Sequence, residues 1–195
     1  MREEKFTSEK IISVQRWTPT LFSFRCTRFS GFRFTAGQFA RLGIRTERGG
    51  TVWRAYSMVS SPYDEFLEFY SIQVPDGEFT SRLAKLREGD EILIEKQAQG
   101  FLTLGRFPDG RDLWMLATGT GVAPFLSILQ DFEVWERFEH VVLVFSVRTQ
   151  AELTYREWLD ELLQQEHIQP YAHKFKFIPI VTRSEEHTSE LQSPD

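Results

Sequence analysis

Apolar and polar residues alternate with period two along Leu21-Phe22-Ser23-Phe24-Arg25-Cys26-Thr27, and the alternation returns at Phe32–Phe34 and across Gln38–Ile44. A period of two sends neighbouring side chains to opposite faces, so such runs call for half-buried β-strands. Further strand-like runs follow at Thr51–Ser57, Leu67–Val74 and Glu91–Lys96, with Gly31 and Glu47-Arg48-Gly49-Gly50 marking turns. Strands spaced this evenly predict an antiparallel barrel or sandwich. One short helix is expected among them, over Thr80–Arg87, with Leu83 and Leu86 on one side and Gly89-Asp90 closing it. The 18 phenylalanines of this 195-residue chain supply bulky apolar side chains for such a core.

The pattern changes at Phe107-Pro108-Asp109-Gly110. Asp112–Ala117 (DLWMLA) reads as a buried strand, followed by a glycine-rich turn and a helix from Pro124 to about Trp135. Val141–Ser146 (VVLVFS) is an apolar run of the parallel-sheet kind. Thr149 and Glu152 make a capping box for a helix over Ala151–Gln165, and Phe175–Thr182 (FKFIPIVT) is a third strand. Strand and helix in alternation predict the first half of a Rossmann-like α/β nucleotide-binding lobe. Ser184–Asp195 (SEEHTSELQSPD) has no apolar period, and Arg183–Ser193 resembles a translated sequencing adapter. Residues 184–195 are therefore expected to be a non-native or disordered tail behind a lobe truncated at about residue 183.

Charge and cysteine usage narrow the function classes. The net charge of −5 speaks against a nucleic-acid binder. No apolar run approaches the ~20 residues a membrane helix needs, and the charged start MREEKFTSEK is unlike a signal peptide, so a cytoplasmic protein is expected. The single Cys26 excludes an intramolecular disulfide and reads as a buried core thiol. His140, His167, His173 and His187 lack metal-ligand spacing, and Glu157, Asp160 and Glu161 read as a solvated helix face. From Arg16 to Arg54 stand eight arginines against one acid, Glu47, a local charge of +7 suited to phosphates or an acidic partner.

The residues best suited to chemistry begin with Arg54-Ala55-Tyr56-Ser57 at a strand end. Arg54 and Tyr56 share a face: the guanidinium can fork two donors onto a diphosphate, and the ring can lie against a planar heterocycle. Tyr70-Ser71-Ile72-Gln73-Val74 and Pro75-Asp76-Gly77-Glu78-Phe79-Thr80-Ser81 follow, the latter leading into a helix start with free N–H groups. Ala117-Thr118-Gly119-Thr120-Gly121-Val122-Ala123-Pro124 forms a second such loop between strand and helix. It is neither a P-loop nor the G-x-G-x-x-G fingerprint, since Ala123-Pro124 fills the third-glycine region.

RAYS, YSIQVPDGEFTSRL, GDEILIEKQAQGFLTL and LWMLATGTGVAPFLSIL, in that order, resemble the bacterial type of ferredoxin (flavodoxin)–NADP reductase across residues 5–183. The resemblance implies a six-stranded antiparallel FAD-binding β-barrel over 1–105 and an incomplete NADP-binding lobe over 106–183. It implies that Arg54 binds the FAD diphosphate, that Tyr56 stacks on the isoalloxazine, and that Ser57 sits near its reactive N5. Ala55, Tyr70, Ser71, Ile72, Gln73, Glu78, Phe79, Thr80 and Thr120 are the other implied FAD contacts. Thr118, Gly119, Gly121, Val147, Arg148, Thr182 and Arg183 are the implied NADP(H) contacts. The implied activity is electron transfer between NADP(H) and an acidic carrier, ferredoxin or flavodoxin, by a monomer without metal. Three further readings stay open: a FAD-binding fragment without turnover because the NADP lobe is incomplete, another NAD(P)H-dependent flavin oxidoreductase, and a barrel that binds apolar ligands without redox chemistry.

Overall fold

The computed structural model describes residues 5–183. Six antiparallel strands, β1 (Phe6–Arg16), β2 (Leu21–Thr27), β3 (Phe39–Arg45), β4 (Thr51–Ser57), β5 (Phe66–Ile72) and β6 (Glu91–Glu95), form one sheet in the order β4-β3-β6-β1-β2-β5. The sheet curls until its edges meet: Met58, just past β4, bridges to Phe69 of β5. Closure of this kind leaves no long unpaired edge. Phe22, Phe24 and Cys26 point inward with Leu67, Phe69, Ile92 and Ile94, all buried. Each such aliphatic or aromatic side chain contributes about 1.5–3 kcal/mol. The barrel's short helix is α1 (Glu78–Leu83), anchored by buried Phe79 and Leu83.

The second sheet is parallel, β7 (Asp112–Thr118), β8 (His140–Val147) and β9 (Phe175–Val181) in that order. Met115, Leu143 and Phe145 share one core with side chains of α2 (Ala123–Leu129), α3 (Phe132–Arg137) and α4 (Arg156–Gln164). Leu21, Ala36, Val59 and Tyr70 belong to the same core, so apolar packing joins the two sheets. On β7, Trp114 and Leu116 alternate with the buried residues and stay exposed. Among the described residues, no helix is long and apolar enough to cross a membrane.

The structure corrects several readings of the sequence. The sixth barrel strand is β1, between β2 and β6, and not the Phe32–Phe34 run. At Phe32 the carbonyl accepts from the Arg28 guanidinium, which also binds the Pro62 and Asp64 carbonyls, so a side chain takes a bond that a strand partner would make. Helix α1 starts at Glu78, two residues before Thr80, with Gly77 as its N-cap. The helix expected from Pro124 to Trp135 is two helices, because the Asp131 carboxylate accepts from the Glu133 N–H and starts a new one. The Thr149–Glu152 box opens only a 3-10 turn; α4 begins at Arg156, after Tyr155 in left-handed backbone. The reading of 184–195 as a tail lies outside the described residues.

Candidate functional site

Where the barrel edges meet, a cleft of about 520 Å³ opens. Its walls come from Arg54–Ser57 of β4, Tyr70–Ile72 of β5, the turn and first residues of α1 with Val74, Gly77 and Glu78–Thr80, and Thr120, Gly121 and Ala123 of the second lobe. The structure thus gathers the expected flavin contacts except Gln73. Gln73 follows the end of β5 and lies outside the wall, and its N–H donates to the Thr20 carbonyl at 2.8 Å.

The cleft has one aromatic side and one cationic side. The Tyr56 ring packs on Phe79 of α1 at 5.6 Å between centroids and edge-on to Phe69 at 6.5 Å. Its hydroxyl hydrogen-bonds Ser71 Oγ, and burial pushes the phenol above the ordinary tyrosine range. The Arg54 side chain is exposed; Nη1 donates to the Trp53 carbonyl at 2.8 Å, and the guanidinium has further donors for a ligand. No side chain caps the start of α1. Thr80 Oγ1 accepts from the Val74 N–H at 3.1 Å, and a Cβ at Gly77 would stand 2.5 Å from that oxygen and push the hydroxyl aside. An arginine fork and an uncapped helix start therefore border one cleft, a pairing that suits a diphosphate.

A second cleft, of about 420 Å³, lies at the carboxyl ends of β7, β8 and β9. Open α/β sheets bind ligands at that end. Thr118, Gly119, Val147, Arg148 and Thr182 line it together. Gly119 has φ +49, backbone that favours glycine. Ile72 and Thr120 line both clefts, so the two are contiguous. Gly121 lines the first cleft instead of the second. Arg183 lines neither; its N–H donates to the Arg148 carbonyl at 2.8 Å, extending the β8–β9 pairing.

The sequence reading missed Leu21, Ser146 and Glu152 in the second cleft and Val74, Gly77 and Ala123 in the first. Glu152 carried a signal in its capping box. Its carboxylate accepts from the Arg148 N–H at 2.9 Å, which holds the turn after β8 in shape.

The arginine-rich segment does not form one free patch. Arg16 donates to the Ala84 carbonyl, Arg25 pairs with Glu68 at 2.8 Å, Arg28 binds three carbonyls, and Arg41 pairs with Glu95 at 2.9 Å. Arg45 and Arg48 are exposed at the β3–β4 hairpin, away from those partners. Cys26 is buried, and burial raises its thiol far above the ordinary range. Among the described residues no cluster of His, Cys, Asp or Glu is disposed to hold a metal.

Known proteins share this sequence and this fold. The oxidoreductase NAD-binding domain family matches residues 115–193. The chain is 46% identical to ferredoxin–NADP reductase of Azotobacter vinelandii, over 92% of this chain and 70% of that one. It is 44% identical to ferredoxin–NADP reductase of Pseudomonas aeruginosa, over 90% of this chain and 69% of that one. The crystal structure of a ferredoxin–NADP+ reductase from Neisseria gonorrhoeae, with bound FAD and NADP, superposes with a TM-score of 0.85 at 45% identity, over 93% of this chain and 70% of that one. With a curled antiparallel barrel, a parallel nucleotide-type sheet and relatives this similar, the chain belongs to the ferredoxin/flavodoxin–NADP reductase family of oxidoreductases.

Proposed function

We propose that this chain binds FAD in the first cleft and NADP(H) in the second, and that it moves electrons between NADP(H) and ferredoxin or flavodoxin. The observation that carries the reading is the sharing of Ile72 and Thr120 by the two clefts, so that ligands in them would lie side by side. In this reading residues 1–105 form the flavin unit and 106–183 the nicotinamide-nucleotide unit.

The residues of the first cleft fit a flavin dinucleotide. The cleft lies within the ~300–1,000 Å³ range of small-ligand sites, with a tyrosine-rich wall for a flat ring and cationic and N–H donors for phosphates. Bound FAD supplies the exchange between hydride from a nicotinamide and single electrons for a carrier. Arg54 holds the diphosphate, and the start of α1 closes on it from the other side. Tyr56 and Tyr70 keep water off the ring and fix its plane. Ser57 presents a hydroxyl at the reacting edge. Thr118, Gly119, Val147, Arg148 and Thr182 hold the second nucleotide, with Arg148 as its cation. Arg45 and Arg48 give an acidic carrier a basic face to approach.

Anaerobic mixing of the flavin-loaded chain with NADPH tests this reading. Loss of the yellow flavin absorbance, restored by an oxidised ferredoxin or flavodoxin, is the expected result. A flavin-loaded chain that NADPH leaves yellow would be a binding fragment without turnover.

A further inference from the structure

The two lobes meet at a buried polar junction. Strand β5 presents Glu68 and Tyr70 to the second lobe, while its next residues, Tyr70 to Ile72, wall the first cleft. From the second lobe, Thr154 Oγ1 donates to the Tyr70 hydroxyl at 2.9 Å and the Tyr155 hydroxyl donates to Glu68 Oε1 at 3.0 Å. The other Glu68 oxygen accepts from Arg25 Nε at 2.8 Å. All four residues of the two lobe-to-barrel bonds are at most 7% exposed. The Tyr155 ring is gripped by Trp17 at 4.9 Å and by Tyr70, edge-on, at 5.3 Å.

The backbone sharpens the point. Tyr155 has φ 59, a left-handed conformation that costs a bulky side chain roughly 1–2 kcal/mol. Such strain persists only where the surroundings hold it. A few residues earlier on the same turn, Arg148 and Glu152 line the second cleft, and the Glu152 carboxylate fastens the Arg148 N–H. One turn thus touches the nucleotide cleft at its start and β5 at its end.

We infer that Thr154 and Tyr155 are positioning residues: by hydrogen-bonding Tyr70 and Glu68 they hold β5 against the 148–155 turn and so set how the two clefts abut at Ile72 and Thr120. The inference rests on the functional reading above. It assigns these side chains no contact with either ligand.

Tyr155→Phe, which keeps the ring, and Thr154→Val test it in the full FAD-loaded chain, with NADP+ titrated by difference absorbance. The expected result is selective. The NADP+ dissociation constant rises about fivefold, the factor one hydrogen bond carries, while that of FAD moves less than about threefold. The visible circular dichroism of the bound flavin also changes. Glu68→Gln, which keeps an oxygen for Tyr155, retains wild-type NADP+ affinity. Unchanged NADP+ affinity in both hydroxyl-deleted variants overturns the inference, as does an equal fall in affinity for both ligands, which marks general loosening. Wild-type protein that takes FAD but no NADP+ overturns it too. Wild-type protein that takes no FAD sinks the functional reading instead. The junction is then judged by amide exchange at residues 70–72, which Tyr155→Phe must speed for the inference to stand.

Discussion

The Tyr56 hydroxyl lies 3.0 Å from Ser71 Oγ and so ties β4 to β5, the two edge strands of the barrel, at the wall of the first cleft. One bond there serves both closure of the sheet and the shape of the site. Tyr56→Phe and Ser71→Ala should each lower unfolding free energy by about 0.5–1.5 kcal/mol. The double variant should lose no more than the worse single one, because both remove the same bond. Urea unfolding of the three variants checks this; additive losses would mean the bond is absent.

Ser57 ends β4 inside the first cleft. Ser57→Ala should leave FAD affinity within about threefold of wild type. It should slow flavin reduction by NADPH about tenfold or more, as expected for an interaction made mainly in the transition state. Stopped-flow absorbance separates the two; loss of FAD itself would contradict the role given to Ser57.

The junction between the lobes should weaken in alkali. Burial pushes the Tyr70 phenol up to about 12, and burial with the nearby Glu68 carboxylate pushes Tyr155 well above the ordinary value. A phenol held protonated by the fold stabilises fully below its unfolded value of about 10. That contribution is lost as pH climbs through about 12, the folded value at Tyr70. The melting temperature should therefore fall steeply above about pH 10, and less steeply in the Tyr70→Phe, Tyr155→Phe double variant. Parallel curves for variant and wild type would refute the assignment.

Gly37 has φ +92, and a Cβ there would lie 1.9 Å from the Leu102 carbonyl oxygen. Gly37→Ala should cost at least about 1–3 kcal/mol from backbone conformation alone, and more from the clash. Thermal denaturation checks it against Gly110→Ala, where nothing stands within 4 Å of the new methyl. Equal stability of the two variants would contradict the close packing of the 100–104 loop on the barrel.

Much of this architecture is legible in the residues because burial follows period. Leu21–Thr27 and Val141–Ser146 announce their strands, since one packs a barrel and the other lies inside a parallel sheet. Strand β1 escapes notice because only Glu9 and Ile11 of Phe6–Arg16 are buried, and Glu9 is polar. Thr27 satisfies that carboxylate from the neighbouring strand, a partner no local pattern reveals. Phe32–Phe34 misleads for the opposite reason: the alternation is real, but Arg28 occupies the backbone acceptor. That the RAYS and GEFT segments line one cleft is legible because strand alternation and a glycine-led helix start are local. Glu152 was readable only as a cap, and its place in the second cleft depends on how β8 and the following turn pack.

The central claim is that the Arg54 strand and the start of α1 hold a single flavin dinucleotide. Fluorescence titration of the purified chain with FAD tests it most directly, beside Arg54→Ala and Arg54→Lys. The account predicts saturation at one FAD per chain. It predicts a loss of about 10- to 100-fold in affinity for Arg54→Ala, the weight of charge-assisted bonds, and incomplete rescue by lysine, which cannot fork. A chain that shows no saturable FAD binding, or one that binds equally well without Arg54, would contradict it.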